Sequence, residues 1–451
     1  MLALLSALVV AQVPAQPTSV EVVRPQEVRP LPGQLDRVPV FNSNSPELVF
    51  QEGILLSTLA PQGKTHPKAH LNYSFNGRFD LFLHHVAKPP TPEDLRPLYL
   101  GVVFHNPSLR PVRLSLLEGA TFLSQPDAPF VARPDLQEDP LGTVYAGPGS
   151  RVGNDLLRGR RNPMLPSDLT LAPGATELFL ALPIPVGQLQ PPLNGRSALL
   201  RMSSNGPVQV ASLARFGSLN AQGQSQPPDR QGWLSLLQDG SLATPRDVTP
   251  SNPKEPGPLV YGRVAGVAEG SRWRALVTDP KQLFLAVPAP GQAFSYPISS
   301  LRGGRMGTGQ NQTAQMLVRY PDTAYEAHGN YAIEYDLTLP LKNTSNETQQ
   351  VAIALETPLK EDRLSKGGLR FLSPPARPVF FRGTVRLTYR DDVGRPEIRY
   401  YHLVQRRGQM GEPLVTLTLP PNDQRSVNVR LIYPADATPP QVLTVKSLPL
   451  P

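Results

Sequence analysis

The sequence predicts an all-β protein built from two antiparallel, immunoglobulin-like β-sandwich units with little helix. Three observations carry that prediction. Proline supplies 54 of the 451 residues, about 12% where roughly 5% is usual. A residue with no backbone donor and a fixed φ breaks long helices, so the elements must be short. Apolar and polar residues alternate over many stretches, the period of a half-buried strand. Gly, Pro and Asn interrupt those stretches at roughly 8–12 residue intervals, the turn spacing of a sandwich.

Taken in chain order, the first stretch, MLALLSALVVAQVPAQP, runs apolar from Leu2 to Val10 and then meets Ala11 and Ala15, each two residues after a Val. This is the outline of a signal peptide with an A-x-A-like exit over residues 1–15. It is too short to span a bilayer, which needs about 20 apolar residues. No later stretch is longer, so no transmembrane segment is expected, and the chain reads as exported to the periplasm, the cell envelope or the outside. Cysteine is absent, which rules out disulfides, thiolate metal sites, a Cys nucleophile and a lipidated Cys anchor. An exported chain of this size held only by hydrophobic cores fits a bacterial envelope.

Residues 16–46 carry Pro17, Pro25, Pro30, Pro32, Pro39 and Pro46 and read as an extended Pro-rich segment lying along a domain. Two later regions then share one order of elements. YLGVVFHNPSLRPVRLSLLEG (99–119) gives a strand, a turn at Asn106-Pro107 and a strand with Val112, Leu114 and Leu116 on one face. LTLAPGATELFLALPIP answers it some sixty residues on. YDLTLPLKNTSNETQQVAIALETP (335–358) repeats strand, Asn-rich turn and strand, and LVTLTLPPNDQRSVNVRLIYP (414–434) answers that. Two runs in the same order imply two copies of one unit, at 47–217 and 259–451. The polar, Pro/Gly-rich segment 218–258 lies between them as a linker. In the second copy Tyr335, Leu337 and Leu339 alternate with Glu334, Asp336 and Thr338, and Val385, Leu387 and Tyr389 with Arg386, Thr388 and Arg390. RVGNDLLRGRR (151–161) has room for one or two helical turns.

RPLPGQLDRVPVFNSNSPELV, TGQNQTAQMLVRYPDTAYEAHGNYAIEYDL, VFFRGTVRLTY and YPADATPPQVLTVKSL together resemble an uncharacterised family of exported cyanobacterial proteins, over nearly the whole mature chain. The resemblance implies a bacterial envelope setting and supplies no activity and no catalytic residues.

The densest chemistry lies in RYPDTAYEAHGNYAIEYDL (319–337). His328 could act as a base oriented by Asp322 or Glu326, with Arg319 holding an anion. A turn at Pro321-Asp322 and another at Gly329-Asn330 explain the same residues as a shaped loop. The loop is preferred, with Arg319, Tyr325 and His328 kept as ligand contacts. His66 and His70 have helical metal spacing but enclose Pro67, and His84 and His85 point to opposite sides of a strand. Isolated histidines are expected, with neither a metal nor a cofactor. Glu93-Asp94, Glu361-Asp362 and Asp391-Asp392 sit beside turn residues and read as turn tips, and no G-x-S-x-G elbow or P-loop order occurs.

Charge narrows the partner. Of 44 basic residues 35 are Arg, and residues 363–407 hold ten Arg and one Lys against three acids, matching the whole net charge of +8. Arg favours bidentate contact with carboxylate, sulfate or phosphate. Arg386 and Arg390 lie on one side of GTVRLTYR, and a hairpin through Asp391–Gly394 would bring Arg399 onto the same surface. The expected function is a cell-envelope binding or structural protein holding an anionic polysaccharide or lipopolysaccharide on that Arg-rich face. Nucleic acid suits the charge but not export. The alternative is a carbohydrate-active hydrolase using carboxylates from facing strands.

Overall fold

The computed structural model describes residues 18–449, so the expected signal peptide lies outside the described residues. Strand accounts for 46% of the chain and helix for 5%, and the fold is all-β. Pro-rich residues from Thr18 onward form short strands, each on a different neighbour. Val20–Arg24 pairs with Leu369–Ser373, Glu27–Val28 with Ala293–Ile298 and Gln34–Leu35 with Arg272–Leu276. Pro25, Pro30 and Pro32 fall between these pairings, where no ladder donor is needed.

The second half is sandwich-like. Its larger sheet runs Leu136–Glu138, Pro396–Arg406, Val379–Arg390, Gln424–Ile432, Glu334–Lys342, Arg272–Leu276 and Gln34–Leu35. Its smaller sheet includes Ala293–Ile298, Gln441–Leu448, Gln349–Glu356 and Pro413–Leu419. Leu337, Leu339, Val427 and Val429 from the first and Val351, Ile353, Leu355 and Val445 from the second belong to one buried cluster. The first half is organised by the long strand Asn194–Phe216. Its early residues pair with Phe75–Ala87 and Val112–Leu123, its late residues with Leu98–His105 and Gly53–Ser57. The register shifts between Ser204 and Val208, at Asn205-Gly206-Pro207, where a Cβ on Gly206 would lie 2.8 Å from Val112. That break lets one strand serve two sets of partners.

The internal repeat is visible atom by atom. Leu98–His105 pairs with Thr176–Ile184 and Val112–Leu123 with Asp168–Leu171. In the second half Glu334–Lys342 pairs with Gln424–Ile432 and Gln349–Glu356 with Pro413–Leu419. At the first crossing Asn106 is fully buried and its Nδ2 donates to Arg110, Leu171 and Ala172 carbonyls at 2.7, 3.2 and 3.0 Å, while its Oδ1 accepts from Ser108 N. Asn343 does the same with Glu347, Leu419 and Pro420 at 2.7, 2.8 and 3.1 Å and with Ser345 N. An amide supplies both donors and an acceptor at once, so one buried Asn satisfies a bend that would leave carbonyls orphaned.

Three features depart from the sequence reading. Pairing is not uniformly antiparallel: Pro39–Ser43 runs parallel to Phe75–Ala87, and Arg272–Leu276 parallel to Glu334–Lys342, because these strands arrive from the lead-in and a crossover rather than from a hairpin. The 151–161 helix starts earlier, as α1 at Pro148–Leu157. The expected linker holds a second helix, α2 at Arg230–Asp239, capped by Asp229, whose side chain accepts from Gly232 N at 2.7 Å. Trp233 of α2 is fully buried and occupies the space above Gly101, where a Cβ would approach it to 2.6 Å.

The halves also share material. Ala265–Glu269 pairs with Pro39–Ser43 and with Ala314–Arg319 inside the sheet that contains Asn194–Phe216. Across the joint, Glu334, with no exposed surface, takes Arg201 at 2.5 Å, Arg272 at 2.9 Å and the Arg430 Nε at 2.9 Å. Burial opposes its ionisation, but the Arg201, Arg430 and Arg272 guanidiniums outweigh it and hold the carboxyl at about 2.

Candidate functional site

The loop singled out by sequence divides between a structural staple and a cavity wall. Arg319 donates to the Tyr320, Pro321 and Thr323 carbonyls at 2.9, 3.1 and 2.5 Å and lies 3.6 Å from the Tyr325 ring centroid. All three bonds come from one guanidinium nitrogen, Nη1, which ties Arg319 to the turn it encloses. Asp322 pairs with Arg246 at 2.8 Å, so it does not orient His328. Glu326 accepts from Thr313 at 2.6 Å and Asn311 at 3.0 Å and stands 4.0 Å from the His328 Nδ1. The base-and-anion grouping imagined from the sequence is therefore not assembled. Asp391 and Asp94 bind their own turns, Asp391 accepting from Val393 N and Arg395 N and Asp94 pairing with Arg96, whereas Asp362 accepts from Gly303 N and Arg305 N of a distant loop.

His328 faces elsewhere. With Asn42, Asn44, Tyr261, Tyr331 and Lys360 it lines a cavity of about 390 Å³. Pro39–Ser43 positions Asn42, and Asn44 follows directly on the same chain path. The turn at Asn330, with φ of 49°, carries His328 and Tyr331 to the opposite wall. The Tyr261 and His328 rings meet edge-on at 4.9 Å. Lys360 donates to the Tyr261 hydroxyl, and its Nζ lies 4.3 Å from the ring centroid. Burial pulls the Lys360 pKa down to about 8, against Asp362. It also pulls His328 down to about 4, with Glu326 opposing and Lys360 and Arg302 adding to the fall, so the imidazole is neutral at physiological pH. The Oδ1 atoms of Asn42 and Asn44 and the Nδ1 of His328 are buried without a hydrogen-bond partner. Of these residues the sequence reading had found only His328. The signal it passed over was Asn42 and Asn44 inside FNSNSP, amides in a segment that is otherwise core.

Four of the five histidines of the first half are paired with a hydroxyl, His66 being the exception among the described residues. His70 meets Ser57 at 2.8 Å, His84 meets Ser197 at 2.7 Å, His85 meets Ser43 at 2.9 Å and His105 meets Thr176 at 2.9 Å.

The Arg-rich stretch needs a correction. Val379–Arg390 and Pro396–Arg406 do form a hairpin, but Arg390 pairs with Pro396, leaving five residues, Asp391 to Arg395, in the turn instead of four. Side chains alternate with a period of two, so one added residue moves the returning strand to the other face. Arg399 stands opposite Leu387, and Tyr400 stands opposite Arg386. Arg399 is moreover neutralised by Glu138 at 2.7 Å and Glu397 at 2.9 Å. Arg370, Arg382 and Arg406 likewise take Glu21 or Glu361, Asp436 and Asp135. Much of the local excess is thus met by acids distant in sequence.

What remains is a cross-strand row. Arg274, Asp336, Arg430, Arg386 and Tyr400 are consecutive register partners on five strands, spanning about 19 Å at ~4.8 Å per strand. Leu276, Thr338, Asn428, Thr388 and Ile398 form the next row. Arg274 and Arg390 are well exposed. Among the described residues Arg386 and Arg390 have no carboxylate partner, and the Arg386 Nε has no hydrogen bond. Five arginines on this face, including Arg272, meet two carboxylates, Glu334 and Asp336.

Among solved structures the chain is similar to an oxalate decarboxylase of Bacillus subtilis, at 8% identity over 83% of this chain and 74% of that one, with a TM-score of 0.10. It is also similar to the coconut allergen cocosin, at 9% identity over 83% of each chain, with a TM-score of 0.09. Likenesses this low carry no argument about function. No curated protein matches. Residues 26–447 match the family described as "Protein of unknown function (DUF3370)", and the chain belongs to that family.

Proposed function

We propose that this DUF3370 protein is an exported binding component of the bacterial cell envelope that holds an acidic polysaccharide across the exposed end of one face of its larger second-half sheet. The observation that carries the reading is the pair Arg386 and Arg390, two residues apart on one strand, uncompensated by carboxylates and continued across the sheet by Arg430 and Arg274. Strands about 4.8 Å apart offer guanidiniums at a spacing that an extended chain with repeated carboxylates or sulfates can follow. Ile398, exposed, adds apolar surface beside them. A hydrolase acting at this cavity receives less support, because only one carboxylate, Asp247, lines it, whereas glycoside cleavage uses two.

The protein should be retained on an immobilised acidic polysaccharide, and retention should fall steeply with salt, because exposed charges are screened over about 8 Å at physiological ionic strength. Arg386→Glu with Arg390→Glu should abolish retention while lowering the melting temperature by no more than a few degrees. Arg399→Gln, on the opposite face, should bind as the parent does. Unchanged binding by the double variant would remove this face as the site.

A further inference from the structure

The cavity is separate from the sheet face and has its own chemistry. Its charges are Asp247, Arg263 and Lys360. Arg263 is paired with Glu47. Asp247 accepts from the Ser45 hydroxyl at 2.6 Å and the Glu47 N–H at 3.3 Å. Lys360 makes no ion pair among the described residues and rests on Tyr261. One cation is therefore left to meet an anion.

Two further walls restrict what that anion can be. Asn42 and Asn44 are 4% and 3% exposed and both line the cavity; each Oδ1 is enclosed without a partner, which leaves the unbonded Nδ2 as the amide atom open to a ligand. A ring hydroxyl meets such an amide N–H with its oxygen. The neutral His328 lines the cavity with its Nδ1 enclosed and unpartnered; the other ring nitrogen can bond a hydroxyl in either direction according to tautomer. Tyr261 and Tyr331 provide aromatic surface for the apolar face of a ring. At about 390 Å³ the space sits near the lower end of ligand pockets, roughly 300–1,000 Å³.

We propose that this cavity binds a single sugar acid, with Lys360 taking the carboxylate, Asn42, Asn44 and His328 taking ring hydroxyls, and Tyr261 flanking the ring. It is independent of the sheet-face reading, since no residue is common to both.

Calorimetric titration of the full mature chain with D-glucuronate tests it, beside D-glucose and inorganic phosphate. Glucuronate should bind at least tenfold more tightly than either, a difference of about 1.4 kcal/mol. Lys360→Met should bring glucuronate down to the level of glucose. Asn44→Leu replaces an orphaned amide by an apolar group of similar volume, so it should weaken both sugars at least tenfold without lowering the melting temperature. Arg386→Glu with Arg390→Glu should leave the titration unchanged. The proposal is overturned if glucuronate gives no binding at roughly millimolar concentration, the weak end of the affinity scale. It is overturned equally if glucose or phosphate binds as well, or if folded Lys360→Met binds glucuronate like the parent.

Discussion

Replacing Glu334 by glutamine tests the joint between the two halves. The carboxylate has no exposed surface and is met by Arg201 from one half and Arg272 and Arg430 from the other, so the amide would leave three guanidiniums facing one another in a buried site. Glu334 ionises at about 2 in the folded protein against 4.5 for the free group. That fall of roughly two and a half pH units, at about 1.4 kcal/mol each, gives roughly 3 kcal/mol. It agrees with the roughly 3–5 kcal/mol expected when one partner of a buried pair is removed. Because the folded pKa is depressed, this stabilisation is fully present above about pH 4.5 and is lost as pH falls toward 2. Urea titrations of parent and Glu334→Gln, followed by tryptophan fluorescence, should therefore differ by roughly 3 kcal/mol at pH 7 and converge steadily below pH 4.5. Removing Arg201 as well, in Glu334→Leu with Arg201→Met, should cost less than the sum of the single changes. A gap under about 1 kcal/mol at pH 7, or one unchanged between pH 6 and pH 3, would refute the account of the joint.

The two buried asparagines should behave as equivalent parts. Asn106→Ala and Asn343→Ala should each lower stability by roughly 2–3 kcal/mol in urea titrations, since each orphans carbonyls at a strand crossing. The two losses should add, because the sites share no partner; a cost at one site only would mean that the repeat is one of shape and not of energetics. Trypsin under native conditions should cut at Lys254, in the exposed stretch 253–258. The pieces should still elute together, held by Pro39–Ser43 on Ala265–Glu269 and by Glu334 on Arg201; separation on a sizing column would show that each half stands on its own core.

Strand periodicity was legible in the sequence. Alternation placed Leu337, Val385, Leu387, Val427 and Val429 in the core, where each has at most 1% of its surface exposed, because side-chain direction along a strand depends only on parity. The repeated Asn turn was legible for a similar reason: the bend that needs a buried amide is local, so NPS and NTS announce it twice. Tertiary structure decided whatever depends on partners distant in the chain. One extra turn residue sent Arg399 to the far face, and Glu138, Glu21, Asp135 and Asp436, all outside residues 363–407, neutralised arginines that looked free. Helix α2 was hidden by its surroundings of Pro, Gly and Gln, although Asp229 and the Trp233–Leu237 spacing mark it. The cavity could not be read at all, since Asn42, Tyr261, His328 and Lys360 are spread over more than three hundred residues. Only the pairing of Pro39–Ser43 with a strand from the second half brings its walls together.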